Sequence, residues 1–378
     1  MDFDLTDEQL MLRDGVERYV REEYDFAVRR KLARGDEGYS RAHWQKYAEL
    51  GWLGLSLPED VGGLACSFVE TAIVLEAFGR GMVLEPFLAT AVLCSRIVDC
   101  ADADETRKRL LPALIEGRLI LALADSENGS RDRVGCVELT SAHKTGAGYV
   151  LRGAKTMVFG APSADQLVVS AHIEGTKEPV LLLVDPRAAG VTTRAYRLVD
   201  GSRASDIEFA GVELPAAALL IGPDRARAVL EEAADRAALG VVAQMLGVME
   251  AVMEITAEYV KTRVQFGQPI GKFQALQHRM AEMFVDTQHA RSIMYRGMAY
   301  LDRSAPERSN AVSAAKAAAG KAGRFVCAQG VQLHGGIGVT EEYPVGHYFC
   351  AMTLLEKQFG DIDFHLRRFA ATRGSASQ

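Results

Sequence analysis

The chain has 378 residues, 48% of them hydrophobic and 25% charged, which leaves room for two or three ordinary globular domains. A formal charge of −7 and a pI near 5.7 argue against a nucleic-acid partner, because a phosphate-tracking surface needs a clustered excess of Lys and Arg. Six cysteines (Cys66, Cys94, Cys100, Cys136, Cys327, Cys350) lie far apart without a C-x-x-C pair, which speaks against a zinc site or a disulfide framework and for reduced thiols in a cytoplasmic setting.

The chain opens on Asp2, Asp4 and a capping box from Thr6 to Gln9 rather than on a basic head and apolar run, so no signal peptide is expected. No stretch reaches the ~18 uninterrupted apolar residues of a membrane span, and no membrane partner is expected. Up to about Gly117 the pattern is helical, with Leu10, Leu12, Val16, Tyr19 and Val20 on one stripe, then Trp44, Tyr47 and Leu50, then runs over 72–84 and 87–98. Breaks fall at Gly51, at Pro58 with Gly62 and Gly63, and at Pro86.

Near Ile120 the texture changes. β-rich runs at 149–152, 166–170 and 179–184, punctuated by Gly, Asp, Pro and Asn, predict a compact antiparallel β domain to about Gly222. Long helices follow over 223–262, 274–302 and 310–333, then a last one from about Gly346 into a tail, 374–378, expected to be disordered. The expected domains are 1–117 (helical), 118–222 (β) and 223–378 (a C-terminal helical bundle), an α+β arrangement in the order helices, sheet, helices.

Two segments of the last region carry chemistry. Between its first two helices lies Arg263-Val264-Gln265-Phe266-Gly267-Gln268-Pro269-Ile270-Gly271-Lys272-Phe273-Gln274, a helix stop and turn that brings an arginine and a glutamine to one hinge. At the end of the third helix stands Gln332-Leu333-His334-Gly335-Gly336-Ile337-Gly338, where missing side chains let backbone amides approach a phosphate or an adenosine. Taken alone, Arg263 also serves a helix C-terminal dipole, Gln274 a solvated surface, and the glycines a plain turn. Together they suit a nucleotide cofactor, since a bisphosphate wants a charge-assisted donor and an adenosine wants amide hydrogen bonds.

These two motifs, with the phrase 49–63 and the helix–sheet–helix order, resemble the acyl-CoA dehydrogenase family over essentially the whole chain, from Phe3 to about Phe369. The opening 1–9 and the run Tyr343-Pro344-Val345-Gly346-His347-Tyr348-Phe349 resemble, more finely, small subunits of pimeloyl-CoA dehydrogenase and subunits of heteromeric steroid-type members. The resemblance implies the family fold, with a C-terminal four-helix bundle. It also implies FAD, an acyl-CoA substrate, α,β-dehydrogenation with a carboxylate base and hydride transfer to the flavin, and an electron-transfer flavoprotein as acceptor. Lipid metabolism, through fatty acid or steroid degradation, is the setting it implies. In the family, one subunit lends its neighbour the groups that hold the adenosine pyrophosphate; here these fall on Arg263, Phe266, Gln274, Gln332, Gly335 and Gly336.

The departures from the family are equally specific. Its Thr-Glu-Pro-Gly-Ala-Gly-Ser loop is replaced by Ala124-Asp125-Ser126-Glu127-Asn128-Gly129-Ser130, and its Lys-Met-Trp-Ile-Thr-Asn-Gly strand by Lys155-Thr156-Met157-Val158-Phe159-Gly160-Ala161. Met157 takes the place of the tryptophan at the flavin edge, and Phe159 that of the threonine bonded to flavin N5. The usual base position is Phe359 and the alternative one Ala237, with Asp235 and Glu356 the nearby carboxylates. The catalytic base is therefore unassigned. The expectation is a supporting subunit that lends its adenosine-binding half to a second family subunit. A self-sufficient homomer, a flavin monooxygenase and a non-catalytic homologue on the same fold are the alternatives.

Overall fold

The computed structural model of the protein describes residues 4–129 and 134–374. Met1, Asp2, Phe3, Ser130 and 375–378, which entered the motif and tail readings above, lie outside the described residues. Helix α1 (Asp7–Glu23) opens on the expected capping box: the Thr6 N–H donates to Gln9 Oε1 (3.1 Å) and the Gln9 N–H to Thr6 Oγ1 (3.3 Å). Helices α2 (Phe26–Arg34), α3 (Arg41–Glu49) and α4 (Phe68–Gly81), a π-helical segment (Leu88–Cys94), α5 (Ser95–Asp99) and α6 (Asp104–Ile115) complete the N-terminal helical region.

The central strands are β1 (Leu121–Ala124), β2 (Ser141–Lys144), β3 (Gly148–Phe159), β4 (Gln166–Ile173), β5 (Pro179–Val184), β6 (Val191–Arg197), β7 (Arg203–Pro215) and β8 (Leu219–Ile221). They form one sheet in the order β6-β7-β3-β2-β4-β5-β8, with β1 alongside β4. The sheet is mostly antiparallel, as expected, but β4 pairs in parallel with both β1 and β2. Alternation of Leu151, Leu167, Val169, Leu182, Ile207 and Phe209 onto one face gives the sheet its core.

The C-terminal region holds α7 (Pro223–Thr262), a two-stranded ribbon of β9 (Val264–Gln265) and β10 (Gln268–Pro269), then α8 (Gln274–Tyr300), α9 (Ala305–His334), α10 (Pro344–Lys357) and α11 (Ile362–Gly374). Among the described residues α7 alone is long and apolar enough to cross a membrane, but 72% of its apolar window is buried, which marks a core helix. Where one last helix was expected, the chain breaks between α10 and α11. Phe359 and Gly360 both take positive φ (56° and 103°), and the Glu356 carboxylate turns back to accept the Ile362 N–H (3.1 Å).

The chain divides into two compact units. One comprises 32–71 and 84–237 and contains the sheet; the other comprises 1–31, 72–83 and 238–378 and is helical. In the helical unit, α4 and α7 approach closely because Gly79 faces the Gln244 carbonyl and Gly247 faces the Glu76 carbonyl, where a Cβ would collide with backbone. Arg291 of α8 bridges Glu76 and Glu250, and Arg80 bridges Glu250 and Glu254, so charge pairing reinforces the same crossing.

Candidate functional site

The six residues expected at the adenosine end of a cofactor all belong to the helical unit. Helix α7 gives way to the ribbon through Arg263, whose N–H still donates to the Tyr259 carbonyl (2.8 Å) while its own carbonyl accepts from Ile270 (2.8 Å). The ribbon tip is Phe266-Gly267, both with positive φ (52° and 78°), the two-residue turn that matches ribbon twist. A non-glycine residue in that conformation is strained, and Phe266 is 90% exposed, so intramolecular burial does not compensate the strain. Gln274 then opens α8, and Gln332 stands two residues before the end of α9.

All six of Arg263, Phe266, Gln274, Gln332, Gly335 and Gly336 are exposed. Among the described residues, the side chains of Arg263, Gln274 and Gln332 make no hydrogen bond or ion pair. Gly335 has φ 61° and ψ −140°, a conformation reserved for glycine. Gly336 needs no such freedom, and a Cβ added there would meet nothing within 4 Å. Its lack of a side chain is therefore not required by packing among the described residues, and it leaves bare backbone exposed, as Arg263, Gln274 and Gln332 are also exposed. Such a donor set fits a pyrophosphate and an adenosine approached from outside the chain.

The sheet unit holds the loop and strand that depart from the family pattern. Strand β3 slips register against β7 between Lys155 and Val158. In that bulge the Thr156 N–H donates to the Ser126 carbonyl (2.9 Å) and the Met157 N–H to Asp206 Oδ1 (3.1 Å), leaving Met157 at φ 52° and 49% exposed. Asp206 also receives the Arg194 guanidinium (2.7 Å) and the Tyr196 hydroxyl (2.9 Å); chiefly through Arg194, its carboxyl is held below the usual range. Phe159, at the end of β3, is half-buried and pairs with Ala204.

The loop after β1 is fixed by a pair that sequence reasoning did not single out. Glu127 and Lys155 form a salt bridge (2.9 Å) with side chains 1% and 0% exposed. Glu127 also accepts the N–H groups of Glu138 (2.8 Å), Leu139 (2.7 Å) and Thr140 (2.9 Å), and Lys155 donates to the Asp125 carbonyl and Ser170 Oγ (both 3.1 Å). Burial pushes the Glu127 carboxyl up, but Lys155 and the amides outweigh it and bring it to about 2. Glutamate and lysine 28 positions apart leave no periodic signal, and only the three-dimensional pairing reveals them.

No free carboxylate replaces the missing base at the positions considered. Phe359 is half-buried and Ala237 fully buried. Glu356 is buried, with one oxygen bound to the Ile362 N–H and the other to Lys357 (3.0 Å), so it caps α11. Asp235 is 2% exposed on α7 in the sheet unit. The turn around Phe359 is itself held tightly: Lys316 Nζ donates to the carbonyls of Glu356 and Gly360 (both 2.9 Å), and His365 Nε2 lies 3.0 Å from the Phe359 carbonyl.

Residues 6–118 match the N-terminal domain of acyl-CoA dehydrogenases and residues 227–372 their C-terminal domain. The acyl-CoA dehydrogenase FadE27 of Mycobacterium tuberculosis is 30% identical over 90% of both chains, and the NADH-dependent acryloyl-CoA reductase of Anaerotignum propionicum 28% identical over 97% of this chain and 94% of its own. The ChsE4-ChsE5 complex from Mycobacterium tuberculosis contains a chain that superposes with a TM-score of 0.89 at 29% identity over the full length of both. The protein belongs to the acyl-CoA dehydrogenase family, whose members are flavoenzymes, and its cofactor is FAD.

Proposed function

We propose that this chain is the supporting subunit of a heteromeric FAD-dependent acyl-CoA dehydrogenase that carries out α,β-dehydrogenation of an acyl-CoA thioester. It lends its adenosine-binding half-site to a second family subunit that holds the base and the flavin ring. FAD, when bound, supplies the hydride acceptor. Arg263 neutralises the pyrophosphate, Gln274 and Gln332 offer amide hydrogen bonds, Phe266 gives an apolar contact, and Gly335 and Gly336 let backbone amides come close. An electron-transfer flavoprotein takes the electrons onward.

The observation that carries this reading is a contrast. Six groups able to hold an adenosine pyrophosphate are exposed, and the polar side chains among them have no partner among the described residues. The two base positions, meanwhile, hold Phe359 and Ala237, and the neighbouring Glu356 is consumed as a helix cap. The similarity to a chain of the ChsE4-ChsE5 complex supports a two-component assembly. Co-purification of the chain with its partner subunit, followed by FAD quantification, tests the loan. Arg263→Ala in this chain is expected to weaken FAD retention by the complex about tenfold, with an unchanged melting temperature because the residue is exposed. Full retention by that variant contradicts the reading.

A further inference from the structure

The two segments of the adenosine half-site come from helices far apart in sequence, and something must hold them in register. His334, the last residue of α9, is 3% exposed and lies directly before Gly335. Its ring stacks on Tyr259 of α7, with centroids 4.4 Å apart and planes 30° apart, and Tyr343 tilts against its surroundings at 5.0 Å from His334 and 6.4 Å from Tyr259. Tyr259 in turn accepts the Arg263 N–H on its carbonyl. One turn back along both helices, Gly330 lies against Val252 and Thr256, so α9 tracks α7 in steps of one turn up to the point where both motifs begin.

The chemistry of His334 shows that its ring is held for position. Nδ1 lies 2.7 Å from the Gly330 carbonyl and therefore carries the proton, while Nε2 is buried with no hydrogen-bond partner among the described residues. Burial keeps the ring below the usual histidine range, hence neutral near pH 7. A buried acceptor left without a donor is unfavourable. An apolar side chain would avoid it, so the position gains something else from an aromatic ring.

We infer that the Tyr259–His334–Tyr343 stack is the positioning device of the adenosine half-site, holding Arg263, just past the end of α7, in register with Gln332 near the end of α9 and with Gly335 and Gly336 directly after it. This rests on the half-site reading above, and a binding experiment separates the two. The probe is ADP, which carries the adenosine and pyrophosphate without the flavin ring, titrated by calorimetry into the purified full chain, with riboflavin as the control ligand.

His334→Leu removes the ring together with its orphaned nitrogen and is expected to weaken ADP binding about tenfold, as loss of an aromatic contact at a cradle would. His334→Phe keeps the stack and is expected to restore binding to within about twofold. Riboflavin is expected to show no difference, and melting temperatures are compared so that loss of fold is not read as loss of register. If His334→Leu binds ADP like the wild type while Arg263→Ala does not, the stack has no positioning role and the half-site reading stands. Equal weakening by His334→Leu and His334→Phe assigns the effect to the Gly330 hydrogen bond and overturns the stack. A wild-type chain that fails to bind ADP, or one indifferent to Arg263→Ala, removes the half-site reading and the inference with it.

Discussion

At the residue scale, the strongest electrostatic commitments of this protein are structural. Glu127 and Lys155 meet with almost no solvent exposure, and the carboxylate is surrounded by three backbone N–H groups besides the ammonium. Removing one partner leaves a buried charge without compensation, so Lys155→Met is expected to cost about 3–5 kcal/mol in urea unfolding; a loss below 1 kcal/mol would show the pair to be dispensable. His365 makes a separate, pH-dependent contribution. Burial first, then the nearby Lys316 and Arg368, hold it at about 3 against an ordinary value near 6.5. The folded state therefore keeps this ring neutral while the unfolded chain takes up a proton below about pH 6.5, and stability falls as pH drops from there toward 3, by up to about 1.4 kcal/mol per pH unit. Unfolding curves between pH 7 and 5 should lose this slope in part in His365→Gln; an unchanged slope counts against the assignment.

At the element scale, the crossing of α4 and α7 explains why two long helices carry glycine in mid-run. A methyl at Gly247 would enter the backbone of α4 at Glu76, and Gly247→Ala is expected to destabilise the helical unit by about 1–3 kcal/mol, although alanine is the better helix former. A neutral or stabilising result would mean that the helices can separate freely. Helices α1, α7, α8 and α9 were legible in the sequence because burial on one face imposes its period on the residues. The break between α10 and α11 was not, because it depends on Phe359 adopting a left-handed backbone, which side-chain patterning does not announce, and on Glu356, Lys316 and His365 converging from separate helices. The proposed half-site has a sequence signal of a different kind. Its residues sit in two short, dense motifs at helix ends, whereas the Asp206 anchor under Met157 and the Glu127–Lys155 pair join residues 49 and 28 positions apart.

At the scale of the whole molecule, family membership establishes FAD and acyl-CoA dehydrogenation as the chemistry of the fold. The groups proposed for the adenosine end are exposed on the helical unit, while Glu356, near the usual base position, is engaged in capping a helix. On the proposed division of labour between two subunits, restoring a carboxylate in this chain alone should not complete an active site. The turn that carries Phe359 is nonetheless firmly built, so Phe359→Glu is expected to fold, and its expected activity in the lone chain is no greater than that of the wild type. Turnover of acyl-CoA by that isolated variant would point to a flavin pocket that needs no partner.

The most direct test of the division of labour is flavin content per chain together with acyl-CoA dehydrogenation, measured on this protein alone and on its complex with a second family member carrying the base. The account predicts little FAD and no turnover for the lone chain, and FAD with full turnover for the complex. A lone chain that retains one FAD per polypeptide and dehydrogenates acyl-CoA at the rate of the complex would contradict it.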